Sequence, residues 1–213
     1  TMAAIFSNGD HVRRAIATLS LGDKVAIAAV NGPKLVVVSG DKDAVGDVCK
    51  QTEASFRELK VSHAFHSHLM AGMIAPFEER LKADNGVAFL DAHPHMQFVS
   101  TVAGRVVTQA ELHDVGYWTT HVMRPVLFFD GMQAAVAAGA SRFVEMGPHD
   151  VLVGMARRCR LKGELTFTNI INRKDPSKAP GTLQSVLEEL QALAAALEPS
   201  APATAHLREN APE

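Results

Sequence analysis

Three imidazoles fall within six residues of one another in the run Ser62, His63, Ala64, Phe65, His66, Ser67 and His68. An imidazole takes up and releases protons near neutral pH because its unperturbed pKa lies near ~6.5, and it also ligates metals. A zinc set needs further ligands at defined spacings, and no Asp, Glu or Cys around this run completes one, so no metal site is expected. Two other readings stand beside it: loop imidazoles satisfied by backbone and water, or a general acid and base. Spacing alone does not choose between them.

The elements around this run follow from hydrophobic periodicity. Before it, the apolar stretches MAAIF, KVAIAAVNG, LVVVSGD and LKVSHAF read as strands, with HVRRAIATL and AVGDVCKQTEASF as the helices between them. Asn31, Gly32, Pro33 and Lys34 form the tight connection between the second and third strands, which predicts a hairpin. The resulting order is βαββαβ, the order of a ferredoxin-like unit with two helices on one face of a four-stranded sheet. After it the period changes. Met70, Met73, Ile74, Phe77 and Leu81 predict an amphipathic helix, so the imidazole run sits where a strand gives way to a helix.

Further along, MQFVSTVAG predicts a strand, ELHDVGYWTTHV and VLFFDGMQAAVAAGA helices, SRFVEMGPH a buried strand ending in a turn, VLVGMARRC a helix and LTFTNII a last strand. NRKDPSKAPG reads as a linker. Leu183, Val186, Leu187, Leu190, Leu193 and Leu197 then lie on one helical face, and a Pro/Ala-rich tail follows Glu198. The fold class is α/β, divided into a ferredoxin-like unit at 1–62, a larger region at 63–172 and a linker with one amphipathic helix at 173–213.

Composition excludes several functions. The 21 Lys and Arg against 23 Asp and Glu give a net charge of −2, which lacks the basic surplus of a nucleic-acid binder. No apolar run approaches the roughly 20 residues that span a bilayer, so no membrane partner is expected. Cys49 and Cys159 stand without CxxC or ligand spacing, which fits a reducing cytoplasmic setting. The chain contains no GxGxxG, P-loop, HExxH or GxSxG motif.

Together, VNGPKLVVVSGD, VSHAFHSHLM, FVSTVAGRVV, YWTTHVMRPVLFFDGM and FVEMGPHDVLVGMARR closely resemble the acyltransferase domains of modular polyketide synthases, in order and with matching gaps, from residue 2 to about residue 172. The resemblance implies a large acyltransferase subdomain of α/β-hydrolase-like type beside the ferredoxin-like one. It implies transfer of a malonyl-type unit from coenzyme A to the phosphopantetheine thiol of an acyl carrier protein through a Ser acyl-enzyme. His66 ends the HAFH motif and takes the position of the base that activates that Ser. His63, Ala64 and Phe65 take the positions that set selectivity, the HAFH form going with malonyl rather than methylmalonyl. His121 matches a Gln or His position close to the base, where a main-chain carbonyl orients the imidazole, and Asn31 matches a position lining the cleft. Gly147, Pro148 and His149 match a structural turn in which Asp150 replaces the usual Pro.

The family's GHSxG Ser, its oxyanion segment and its carboxylate-gripping Arg all precede the point that residue 2 matches. The expectation is therefore an acyltransferase portion, inactive by itself, whose partners are malonyl-CoA or a related acyl-CoA, a carrier protein, the missing N-terminal half and adjacent synthase domains. No cofactor of its own is expected; phosphopantetheine arrives on coenzyme A and the carrier. The alternative is a docking or scaffold piece for carrier protein or neighbouring domains.

Overall fold

Alternation of side chains along two short strands organises the first sixty residues. In the computed structural model, which describes residues 1–83, 96–170, 183–188 and 191–192, Ala3 and Ile5 of β1 (Met2–Ile5) face one side while Met2 and Ala4 face the other. α1 (Gly9–Thr18) follows, started by Asn8, whose side chain accepts from the His11 amide at 2.8 Å. β2 (Val25–Gly32) and β3 (Leu35–Gly40) form the expected hairpin across Pro33 and Lys34. α2 (Lys42–Gln51) and β4 (Phe56–Glu58) complete the unit.

The sheet order is β2-β3-β1-β4 with every neighbouring pair antiparallel. Each helical crossover therefore skips one strand, the split βαβ arrangement that the order of elements predicts. Val36 and Val38 join Ala3 and Ile5 against Val12, Ile16, Val45 and Val48 of the two helices. Ile5, Val12, Val36, Val38 and Val48 have no accessible surface, and each such side chain contributes roughly 1.5–3 kcal/mol relative to exposure.

The fourth strand lies earlier than periodicity suggests. α2 stops at Gln51, the Thr52 hydroxyl donates to the Cys49 carbonyl at 2.8 Å, and Glu53 takes a φ of 52° that turns the chain back. Phe56, Arg57 and Glu58 then pair with Ile5, Ala4 and Ala3, while residues 59–65 form no strand. All three β4 residues are exposed, so an edge strand leaves no alternating apolar signal to read.

Beyond the sheet, a 3₁₀ turn (His68–Met73) runs into α3 (Ile74–Ala83), the predicted helix entered by a tighter turn. β5 (Phe98–Ser100) pairs with β6 (Arg105–Val107), a strand that periodicity did not identify, through a turn closed by Gly104 at φ 66°. The single helix expected over 111–122 is broken by Asp114 into α4 (Gln109–His113) and α5 (Val115–Thr120). A capping box of Thr108 and Glu111 starts α4, and hydrogen bonding from Arg105 first, then Thr108, holds the Glu111 carboxyl down at about 2. α6 (Phe128–Ala137), β7 (Arg142–Glu145), α7 (Val151–Arg158) and β8 (Thr166–Asn169) follow, with β7 and β8 in one two-stranded sheet. β7 is half-exposed rather than buried, because every second residue faces outward.

Residues 1–145 with 151–168 pack as one compact unit; residues 146–150 belong to a second with the chain from 169 onward. Residues 183–188 are helical, whereas the linker at 173–182 and Leu190, Leu193, Leu197 and the tail lie outside the described residues. Among the described residues no helix is long and apolar enough to cross a membrane.

Candidate active site

Strand β2 acquires a short parallel neighbour that fixes the site. The Val126 amide donates to the Ala28 carbonyl at 2.9 Å, and the Val30 amide donates to the Val126 carbonyl at 2.8 Å, which pins the segment around Arg124 and Pro125 to the sheet. Pro125 removes one donor and fixes its own φ. On this support the Arg124 carbonyl oxygen accepts a hydrogen bond from His66 Nδ1 at 2.8 Å. A carbonyl only accepts, so Nδ1 carries the proton, and in the neutral imidazole the lone pair stands on Nε2.

The His66 backbone is itself unusual. Its φ is 60°, in the left-handed region that costs a non-glycine residue roughly 1–3 kcal/mol, and its amide donates to the Val122 carbonyl at 3.3 Å. Such a residue persists only where its surroundings over-determine it. Sequence reading identified His66 but gave no sign of the left-handed turn.

The other two imidazoles of the run go elsewhere. His63 Nδ1 meets the Ser62 hydroxyl at 2.9 Å, and His68 Nε2 lies 3.4 Å from an Asp41 carboxylate oxygen. Three imidazoles with three separate partners do not converge, and among the described residues no group of three His, Cys, Asp or Glu side chains could hold a metal. Ala64 is buried; Phe65, next to His66, is 42% exposed, with its ring centroid 5.8 Å from that of His63.

His121 ends α5 and is held by aromatic neighbours. Its ring stacks on Trp118 at 5.3 Å and meets the Tyr117 ring edge-on at 5.0 Å. Trp118 Nε1 donates to the Leu112 carbonyl at 2.8 Å, and the Tyr117 hydroxyl donates to Ser100 Oγ at 2.7 Å. Ser100 is fully buried and accepts from the Val102 and Ala103 amides, so the platform under His121 is anchored in the β5 turn. His121 Nε2 is buried with no hydrogen-bond partner among the described residues. Burial first, and Coulombic repulsion between the protonated forms of the two imidazoles, His66 and His121, second, lower the His121 pKa below its usual 6.5.

That shift has a testable sign. Above about pH 6.5 both folded and unfolded chains carry neutral His121; below it the unfolded imidazole takes up a proton that the buried ring resists, so stability falls with pH. His121→Asn is expected to lose less melting temperature than the wild type between about pH 7 and pH 5. An identical loss would contradict the assignment.

Asn31 sits next to Val30 near the end of β2; its carbonyl accepts from the Cys159 thiol at 3.5 Å. Its side chain makes no hydrogen bond among the described residues. A cavity of about 430 Å³ opens beside Arg124, lined by Ile74, Thr119, Thr120 and Met123. In the second unit, Asn169 Nδ2 donates to the Gly147 and His149 carbonyls at 3.2 and 2.7 Å, which ties down the Gly147 to His149 turn. Sequence reading gave no role to Arg124, Trp118 or Asn169. Arg124 acts here through its main chain, which its side-chain type cannot announce.

The arrangement is thus a half-buried imidazole whose Nδ1 is oriented by a carbonyl and whose Nε2 carries the lone pair, with the buried Nε2 of His121 as a second imidazole nitrogen in the same unit. The chain matches the family described as acyl transferase domain across residues 2–181. It is 45% identical over 142 residues to the polyketide synthase GfsB of Streptomyces halstedii, which covers 65% of this chain and 2% of that protein. It superposes with a TM-score of 0.75 and 32% identity on the acyltransferase domain from the second module of the salinomycin polyketide synthase, covering 89% of this chain and 43% of that one. The acyl transferase domain of SpnD, solved in complex with 2-(pent-4-yn-1-yl)malonyl, gives a TM-score of 0.67 at 31% identity, over 78% of this chain and 40% of that one. The chain spans less than half the length of these solved domains.

Proposed function

Since this chain belongs to the acyl transferase domain family, we propose that it moves a malonyl-type acyl group from coenzyme A to the phosphopantetheine thiol of an acyl carrier protein, with His66 as the general base. The observation that carries the reading is the 2.8 Å bond from His66 Nδ1 to the Arg124 carbonyl, which leaves Nε2 as the proton acceptor. The nucleophilic Ser comes from polypeptide outside these 213 residues, because the chain holds no GxSxG motif.

His66 Nε2 takes the Ser hydroxyl proton as the Ser oxygen bonds to the thioester carbonyl carbon. When the tetrahedral intermediate breaks its carbon–sulfur bond, the imidazolium returns that proton to the coenzyme A thiolate. The carrier thiol then gives its proton to Nε2, attacks the acyl-Ser ester, and the Ser oxygen leaves with the proton. The Arg124 carbonyl keeps one tautomer throughout and stabilises the imidazolium, the task a carboxylate performs in a Ser-His-Asp triad. The chain supplies no cofactor; phosphopantetheine is part of both substrates. Phe65 walls the acyl pocket, His63 backs its ring, Ala64 is the small buried residue between them in sequence, His121 borders the base and Asn31 lines the cleft. The malonyl derivative held by the related SpnD domain supports the substrate class.

The chain mixed with malonyl-CoA and holo carrier protein is expected to give no transfer until a polypeptide bearing the GxSxG serine is added. Transfer by the chain alone would contradict the proposal. Carrier protein bound equally well with and without the second polypeptide, and no transfer in either case, would favour the docking role.

A further inference from the structure

We propose that Ser67 is a positioning residue for the His66 base, its buried hydroxyl locking the left-handed turn that aims the imidazole; this rests on the role given to His66 above. Ser67 is 1% exposed. Its hydroxyl donates to the Ala64 carbonyl at 2.6 Å and accepts from the Leu69 amide at 3.3 Å, while its main-chain carbonyl accepts from the Met70 amide at 3.0 Å. One oxygen thus ties the chain before His66 to the chain after it. This closure is needed because residue 66 holds a φ of 60° without being glycine, and relaxation towards commoner backbone angles would swing the ring.

Of the bonds that hold His66, the Arg124 carbonyl fixes the ring and the Val122 carbonyl fixes the amide. Neither restrains the peptide on the C-terminal side of His66. Ser67 does so, and also caps the 3₁₀ turn that begins at His68. A displacement of the base by about 1 Å is enough to cost on the order of 100-fold in rate.

The test uses the competent assembly, these 213 residues together with the polypeptide that supplies the serine. Ser67→Gly is the informative variant, since Gly is a tolerated helix cap and keeps the 3₁₀ turn at His68–Met73 while deleting the hydroxyl that restrains residue 66. It is expected to lower kcat about 10- to 100-fold with KM for malonyl-CoA unchanged. Ser67→Thr, which keeps the hydroxyl, is expected to stay near wild type. A second readout does not depend on turnover: carbethoxylation of His66 by diethyl pyrocarbonate, followed by peptide mass, is expected to accelerate several-fold in Ser67→Gly as Nδ1 is released from Arg124. An unchanged kcat, or a lowered kcat with an unchanged rate of His66 modification, overturns the proposal. If the wild-type assembly shows no transfer, the functional reading fails, while the modification rates still decide the role of Ser67.

Discussion

His66→Asn is expected to lower malonyl transfer by about 100- to 10,000-fold, the range that a positioned general base supplies. Asn is the informative replacement because it tolerates left-handed backbone better than most residues, so the turn at φ 60° survives the change. Its side chain is too short to reach where Nε2 stands, and it has no group that takes up a proton near neutral pH. Folding is expected to remain intact, because His66 lies outside both buried clusters of the ferredoxin-like sheet. The measurement is single-turnover acylation in the competent assembly, with thermal melting as the control. Acylation near the wild-type rate in a folded variant would remove His66 from the mechanism.

Phe65→Ser is expected to raise methylmalonyl use relative to malonyl by roughly 10-fold or more. One methylene in an apolar pocket discriminates by about 10- to 200-fold, and on the proposed role of Phe65 its ring would crowd an α-substituent. The change is separable from stability because Phe65 is 42% exposed and its described ring contact is His63, so truncation leaves no cavity in a packed core. The measurement is a competition between the two acyl donors in one reaction, read by mass on the carrier protein. An unchanged product ratio would take Phe65 out of the selectivity wall.

Much of the ferredoxin-like unit was legible because its strands alternate cleanly: Ala3, Ile5, Val36 and Val38 face the helices, while Met2, Ala4 and Val37 face away. The hairpin was legible from Gly32 and Pro33, and α3 from its apolar stripe. β4 was not, because all three of its residues are exposed and its place is set by where α2 ends, at Thr52 and the left-handed Glu53. β6 has only three residues and is created by the turn at Gly104.

The site divides in the same way. The motif run gave His66, and the resemblance supplied the expectation of a nearby main-chain carbonyl. Its owner, Arg124, emerges only when Val126 pairs with β2, a contact almost a hundred positions apart in sequence. The lowered pKa of His121 likewise depends on burial of its ring and on Coulombic interaction with His66, neither of which local spacing encodes. Ser67 has no role in the sequence reading, and its bond to the Ala64 carbonyl requires the turn to exist first.

The proposed transfer needs a proton path from a serine outside this chain to His66 Nε2. Intact-mass measurement of the two-polypeptide assembly, quenched after a brief exposure to malonyl-CoA without carrier protein, tests it most directly. A malonyl adduct is expected on the serine-bearing polypeptide with wild-type His66, none there with His66→Asn, and none on the 213-residue chain in either case. An adduct that forms equally in the variant, or that appears on this chain, would contradict it.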